Sequence, residues 1–209
     1  MGVMSSPAPL LDLTGGGAAA KVRVRGGETL QCTFEDKLKY LFRAPVGYDQ
    51  NASMSSPLVV FLHGASARGD SFEMHSSMAL PKEIDDIEAI VPERFLLLSP
   101  LCPKGKEWKS LLISDAVLEL IRVVSCQFNV DPKRVYLTGI SMGGLGTWMI
   151  GARAAAATKE PKFAAIAPMC SGGNAVFARI LKDTPCWFFH SQEDNVIGVE
   201  ETDVLYKVC

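Results

Sequence analysis

Gly139-Ile140-Ser141-Met142-Gly143 sets a serine between two glycines in the pattern G-x-S-x-G. A serine hydroxyl attacks a carbonyl only where a base takes its proton and fixed donors receive the oxyanion. Three fixed positions carry little weight alone, and the setting carries more. The apolar run Val135-Tyr136-Leu137-Thr138 leads directly into the motif, and the small-residue stretch from Gly144 to Ala157 that follows favours helix. In a sharp strand-to-helix turn, glycines leave room where a Cβ would clash. Ser141 Oγ would then stand above the strand end, with a helix N-terminus beneath the developing negative charge. The plain alternative is a glycine-rich turn without chemistry.

An acyl-transfer site also needs oxyanion donors, an acid and a base. The Met142 N–H, next after the serine, is expected as one donor. The second is expected where Leu58-Val59-Val60-Phe61-Leu62 runs into His63-Gly64-Ala65-Ser66, at the Ala65 N–H first and Gly64 second. His63 is expected to brace that loop and border the substrate rather than act as base. Cys186-Trp187-Phe188-Phe189-His190 leads into Ser191-Gln192-Glu193-Asp194-Asn195, where Asp194 is the expected acid and Glu193 the reserve. Asp183 precedes that strand and so lies at the wrong end, and Asp131 before Pro132 is expected to cap a turn. None of the residues after Asp194 is histidine. His63, His75 and His190 all lie earlier. His190 reads as structural, and His75 is the one that can approach the site. The expectation is a hydrolase that is C-terminally incomplete by its last strand and helix; the alternative is a non-catalytic binding protein.

The elements that must hold these residues are visible as hydrophobic pattern. Lys21 to Arg25 and Leu38 to Arg43 alternate with period 2, as half-solvated strands do. Leu58–Leu62, Phe95–Leu98, Val135–Thr138, Phe163–Ala167 and Cys186–Phe189 are continuous apolar runs, as strands buried on both faces are. Helical spacing marks Ser110 to Gln127, and Glu200 to Val208 resembles the start of another helix. Strands alternating with helices predict an α/β fold with a mostly parallel sheet covered on both faces. Residues 1–20, rich in Ser, Pro, Gly and Ala, read as a mobile tail, and 21–209 as one domain.

Composition narrows the partners. The chain has 209 residues, 48 % hydrophobic and 21 % charged, with a formal net charge of -2. That balance gives no electrostatic reason for nucleic acid. Apolar runs fall well short of the ~20 residues of a membrane span. Met1-Gly2-Val3-Met4-Ser5-Ser6 fits an N-myristoylation pattern, so membrane contact is expected only if Gly2 is acylated. The six cysteines include no C-x-x-C pair, which removes support for zinc or thioredoxin chemistry. They read as buried reduced thiols, and the expected location is cytoplasmic.

Five stretches in order resemble the predicted-peptidase, phospholipase and carboxylesterase group of α/β-hydrolases, similar to dienelactone hydrolases and feruloyl-type esterases. They are LVVFLHGASARGDSF (58–72), LLLSPLCPKGKEW (96–108), FNVDPKRVYLTGISMGGLGTWMI (128–150), FAAIAPMCSGG (163–173) and LKDTPCWFFHSQEDNVIGVEET (181–202). The resemblance implies the α/β-hydrolase fold, Ser141 as nucleophile, Asp194 as acid and an oxyanion hole at Ala65 and Met142. It implies a small-molecule ester substrate, more readily than a peptide, and no metal or organic cofactor. A C-terminal catalytic histidine is also implied, and this sequence lacks it. His190-Ser191 replaces the usual His-Gly and Ile197-Gly198 the usual Val-Pro, both in the acid loop. Trp108 falls in the family's S-P-x-C-P-x-G-x-x-W stretch, to line the substrate pocket or to pack.

Overall fold

A computed structural model describes residues 11–12, 24–50, 55–91, 94–158 and 161–208. Seven strands form one sheet: β1 (Leu11–Asp12), β2 (Thr29–Phe34), β3 (Leu38–Arg43), β4 (Ser56–Leu62), β5 (Leu96–Leu101), β6 (Val130–Ile140) and β7 (Ala165–Met169). Their spatial order is β1-β2-β3-β5-β4-β6-β7. β3 pairs antiparallel with both β2 and β5, while β5, β4, β6 and β7 run parallel. Parallel neighbours need crossovers, and helices supply them. They are α1 (Phe72–Ser76) and α2 (Ala79–Ile90) between β4 and β5, α3 (Leu111–Gln127) between β5 and β6, and α4 (Met142–Ala156) between β6 and β7. Two short helices follow, α5 (Ala175–Ile180) and α6 (Glu200–Tyr206).

Period-2 alternation assigns the faces. Leu58, Val60 and Leu62 of β4 join Val117, Leu120 and Val124 of α3 and Trp148 and Ile150 of α4 in the main core. Phe61 faces the other way and packs with Leu97 and with Ile84 of α2 in a smaller cluster. Arg43 ties α2 to β3: its guanidinium meets Glu88 at 3.1 Å and Asp85, and donates to the Gly27 carbonyl at 2.8 Å. The second face is covered unevenly. Tyr136, Thr138, Ile140, Ala165, Ala167 and Met169 on that face are only half-buried, and Trp187 is 70 % exposed.

The segment 186–189 lies outside β7, as the apolar run predicts, but forms two isolated bridges instead of a continuous strand. The reason is Pro168. Ile166 N donates to Pro185 O, Trp187 N to Ile166 O, Phe189 N to Pro168 O and Cys170 N to Phe189 O. The member missing from this alternating parallel series is the bond a residue-168 N–H would donate, and proline has none.

Other expectations shift. The first hairpin strand is Thr29–Phe34, eight residues later than the alternation at 21–25 suggests; Val24 and Arg25 are not in a strand. Residues 21–23 lie outside the described residues, as does the expected tail apart from Leu11–Asp12, which pair with β2. The Gly2 acylation pattern also lies outside them. Of the cysteines expected to be buried, Cys32 and Cys102 are, whereas Cys126 is exposed and Cys170 and Cys186 are half-buried. Among the described residues no helix is long and apolar enough to cross a membrane.

Candidate active site

β6 ends at Ile140 and α4 begins at Met142, so Ser141 is the single residue of the turn. Its φ of 55° and ψ of -116° lie in a region that L-residues rarely adopt. The Ser141 N–H donates to Met169 O at 2.9 Å, which pins the turn to the end of β7. The two glycines are needed by close approach. A Cβ on Gly139 would lie 2.5 Å from Gly143 O, and one on Gly143 would run into the Leu62 carbonyl. Met142 is the first residue of α4 and its N–H is one of the helix's unpaired leading donors.

The loop after β4 lies alongside. An ideal Cβ on Gly64 would be 3.8 Å from Ser141 Cβ and 3.6 Å from Ile140 O. Ala65 opens a 3-10 turn, Ala65–Ala67, with an exposed side chain and a leading N–H. His63 holds this loop in place. The Cys102 N–H donates to its Nε2 at 2.9 Å, so the proton sits on Nδ1, which donates to Gly64 O at 2.7 Å. Burial pushes the His63 imidazole down to about 4, and it stays neutral at physiological pH. Trp108 is fully buried below it, donates from Nε1 to His63 O at 2.9 Å and meets the His63 ring edge-on at 5.1 Å. Its Cβ fills the space that a Gly146 side chain would occupy. Both side chains, His63 and Trp108, are buried, and their hydrogen bonds brace the loop that carries Gly64 and Ala65. The Cys102 thiol is pushed up to about 12 by burial, which removes it as a nucleophile.

Asp194 sits in the loop beyond 186–189. One carboxylate oxygen accepts from Val196 N at 2.8 Å and Ile197 N at 3.0 Å; the other lies 3.6 Å from His190 Nε2. The Ile197 N–H, the Val196 N–H and His190, in that order, hold its carboxyl below the usual aspartate value. Glu193 is exposed and only its backbone N–H is engaged, by Ser191 Oγ at 3.2 Å. One lateral series of backbone bonds joins the two halves: Ser141 N to Met169 O, then Cys170 N to Phe189 O, with His190 next in the chain. Cys170 itself has a positive φ of 46°, so two adjoining site positions carry backbone strain.

The histidines are all occupied. His190 places Nδ1 2.7 Å from Thr202 Oγ1 and Nε2 2.8 Å from Ile197 O, and Thr202 donates to Ser171 O at 2.9 Å. This knot fastens the Asp194 loop to α6 and the end of β7. His75, the upstream candidate to approach Ser141, is fully buried instead, with Nε2 3.0 Å from Ser99 O and its ring against His63 at 4.9 Å. Sequence reasoning missed the Thr202–Ser171 part of the knot, because nothing in the spacing of residues 171, 190 and 202 marks them as neighbours. Asp131 does cap its turn, accepting from Lys133 N at 2.9 Å and Arg134 Nε at 2.8 Å. No cluster of three or more metal-ligating side chains occurs among the described residues.

A solved thermostable esterase superposes on 86 % of this chain with a TM-score of 0.70 and 29 % identity. The chain has the α/β-hydrolase fold. A feruloyl esterase module from Clostridium thermocellum shares this α/β-hydrolase fold over 88 % of the chain, with a TM-score of 0.69 at 14 % identity, and the chain covers 72 % of it. In sequence, the chain is 27 % identical over 161 residues, 75 % of its length, to the bifunctional acetylxylan esterase/xylanase of Neocallimastix patriciarum. It spans 22 % of that relative and 51 % of the thermostable esterase. No family model matches the sequence.

Proposed function

We propose that the chain carries the nucleophile, acid and oxyanion parts of a serine hydrolase acting on carboxylic esters. The observation that carries this reading is the Ser141 turn: a strained serine, glycines forced by close approach on both sides, and a helix N-terminus behind it. Ser141 Oγ attacks the ester carbonyl. The Met142 N–H, with Ala65 or Gly64, receives the oxyanion. An acyl-serine forms as the alcohol leaves, and water releases the acid. Asp194 orients the base, and its carboxylate is already held ionised by backbone donors. The esterase relatives support ester over peptide chemistry.

The base is the part the three histidines do not supply. Each is buried or doubly hydrogen-bonded in a bracing role. The same observation favours a second reading, a binding protein on this fold that turns nothing over.

Chemical rescue separates the two. Turnover of p-nitrophenyl acetate is measured with added imidazole, subtracting the rate of Ser141→Ala under identical conditions. A Ser141-dependent rate that rises with imidazole supports the hydrolase, as does fluorophosphonate labelling at Ser141. A rate equal to that of the alanine variant at every imidazole concentration, with no labelling, leaves the binding protein. Full turnover without imidazole would assign the base to one of these histidines. Losing one triad member typically costs several orders of magnitude in kcat, so the unassisted rate should be low but above water.

A further inference from the structure

Beside α4 opens a cleft of about 490 Å³. Its lining is mixed: Leu145, Met149, Phe177 and Ile197 with the 89 % exposed Val196 are apolar, and Lys109, Asn174 and Glu201 are polar. Leu145 and Met149 stand four and eight residues after Ser141, on the same side of the helix, and the Leu145 N–H donates to Ser141 O at 3.1 Å. The first lining residue of α4 therefore follows the serine by about one helical turn, ~5.4 Å along the axis. Both side chains are only half-buried although α4 is a core helix, so their exposed surface belongs to the cleft.

Two charged residues share this lining. Lys109 pairs with Glu107 at 2.9 Å, and Glu201 lies over Gly172, where a Cβ would come within 2.8 Å of its Oε2. Gly173 cannot grow into the space either, since a Cβ there would crowd Trp148 and Leu205 at 3.0 Å. Space of this volume accommodates a whole small ligand. The methyl of an acetyl group, about the size of one water at ~30 Å³, would leave most of it empty.

We propose that this cleft seats the acyl chain of an ester whose acid is a medium-length alkyl or aryl-alkyl acid, in preference to acetate, on a floor of Leu145 and Met149. The proposal rests on Ser141 as the attacking group. It parts from the acetylxylan activity in the relative's name. Each buried methylene strengthens binding by up to about fourfold, less where the wall is open to water.

The test reads product-acid binding, which needs no turnover. Full-length chain labelled with 13C-methyl methionine is titrated with acetate, hexanoate and 4-phenylbutyrate, and the Met149 signal is assigned from Met149→Leu. The expected result is that hexanoate and 4-phenylbutyrate move the Met149 methyl and saturate at concentrations at least tenfold below acetate. Leu145→Asp should weaken hexanoate at least fivefold without changing the circular dichroism. Equal affinity for acetate and hexanoate, or a Met149 methyl that no acid moves, overturns the proposal. Hexanoate binding with no Ser141-dependent ester cleavage at any imidazole concentration would overturn only the hydrolase reading, whereas Ser141-dependent cleavage of acetate esters with Met149 unmoved would overturn only this one.

Discussion

At the scale of single residues, the site depends on groups that are chemically silent. His63 holds one proton, placed by the Cys102 N–H on one side and Gly64 O on the other. Its folded value is lowered to about 4 from an ordinary 6.5, and burial lowers His75 too. Between those values the unfolded chain binds protons that the folded chain refuses. Stability contributed by neutral His63 is therefore present above about pH 6.5 and lost as pH falls towards 4. One such group costs about 3 kcal/mol at the bottom of the window. Urea midpoints taken from pH 7.5 to 4.5 should fall accordingly, and His63→Gln should flatten the slope. An unchanged midpoint across that range would mean the imidazole charges without penalty. Asp194 shifts in the same sense: its carboxyl is also lowered, so the stability from its ionised form is lost as pH falls below the usual aspartate range, a lower window than that of His63. Ser141 and its glycines are readable because a steric demand leaves a trace in residue type. Trp108 is not, since a tryptophan under a loop and one lining a pocket look alike until Gly146 is seen against its Cβ.

At the scale of elements, legibility follows burial. β4, β5 and β7 are covered enough to be written as unbroken apolar runs, and each lies within a few residues of the pattern. α2 fully buries only Pro81 and Ile84, although Leu80, Ile84 and Ile87 recur at helical spacing and mark it in the sequence. β2 alternates cleanly through Leu30, Cys32 and Phe34, but the charged alternation at 21–25 before Gly26-Gly27 is the louder signal. What holds sparse α2 in place is Arg43. Arg43→Ala would leave Glu88 buried without its cation and free the Gly27 carbonyl, costing about 3–5 kcal/mol. Arg43→Met with Glu88→Leu should recover most of that loss, because it removes the stranded charge. Urea unfolding of the single and double variants checks both. Equal destabilisation by the two would mean that the pair's worth is geometric, not electrostatic.

At the scale of the whole molecule, the layers are unequal. α3 and α4 seal one face of the sheet, while the other is sealed over β5 and β4 and left thin over β6, β7 and 186–189. Trp108 and Trp148 are fully buried, and Trp187 lies in the thin region with its ring 4.7 Å from that of Phe189. Iodide should therefore quench one tryptophan population, which Trp187→Phe removes, while the remaining emission stays blue and unquenched. Light scattering that rises with concentration and drops in Trp187→Lys would be the companion sign of an uncovered apolar edge. The missing bond at Pro168 has a consequence for how the molecule comes apart. The outermost segment hangs from β7 at two points, and it carries the loop with Asp194; the Ser141 turn is rooted at the end of β6, which is paired along both sides. Warming should release that flap while β6 and α4 remain closed, with amides of 187–198 exchanging through a small local opening and those of 135–150 only through global unfolding. The two halves of the site would then have separate melting points, and function would fade several degrees before the protein unfolds.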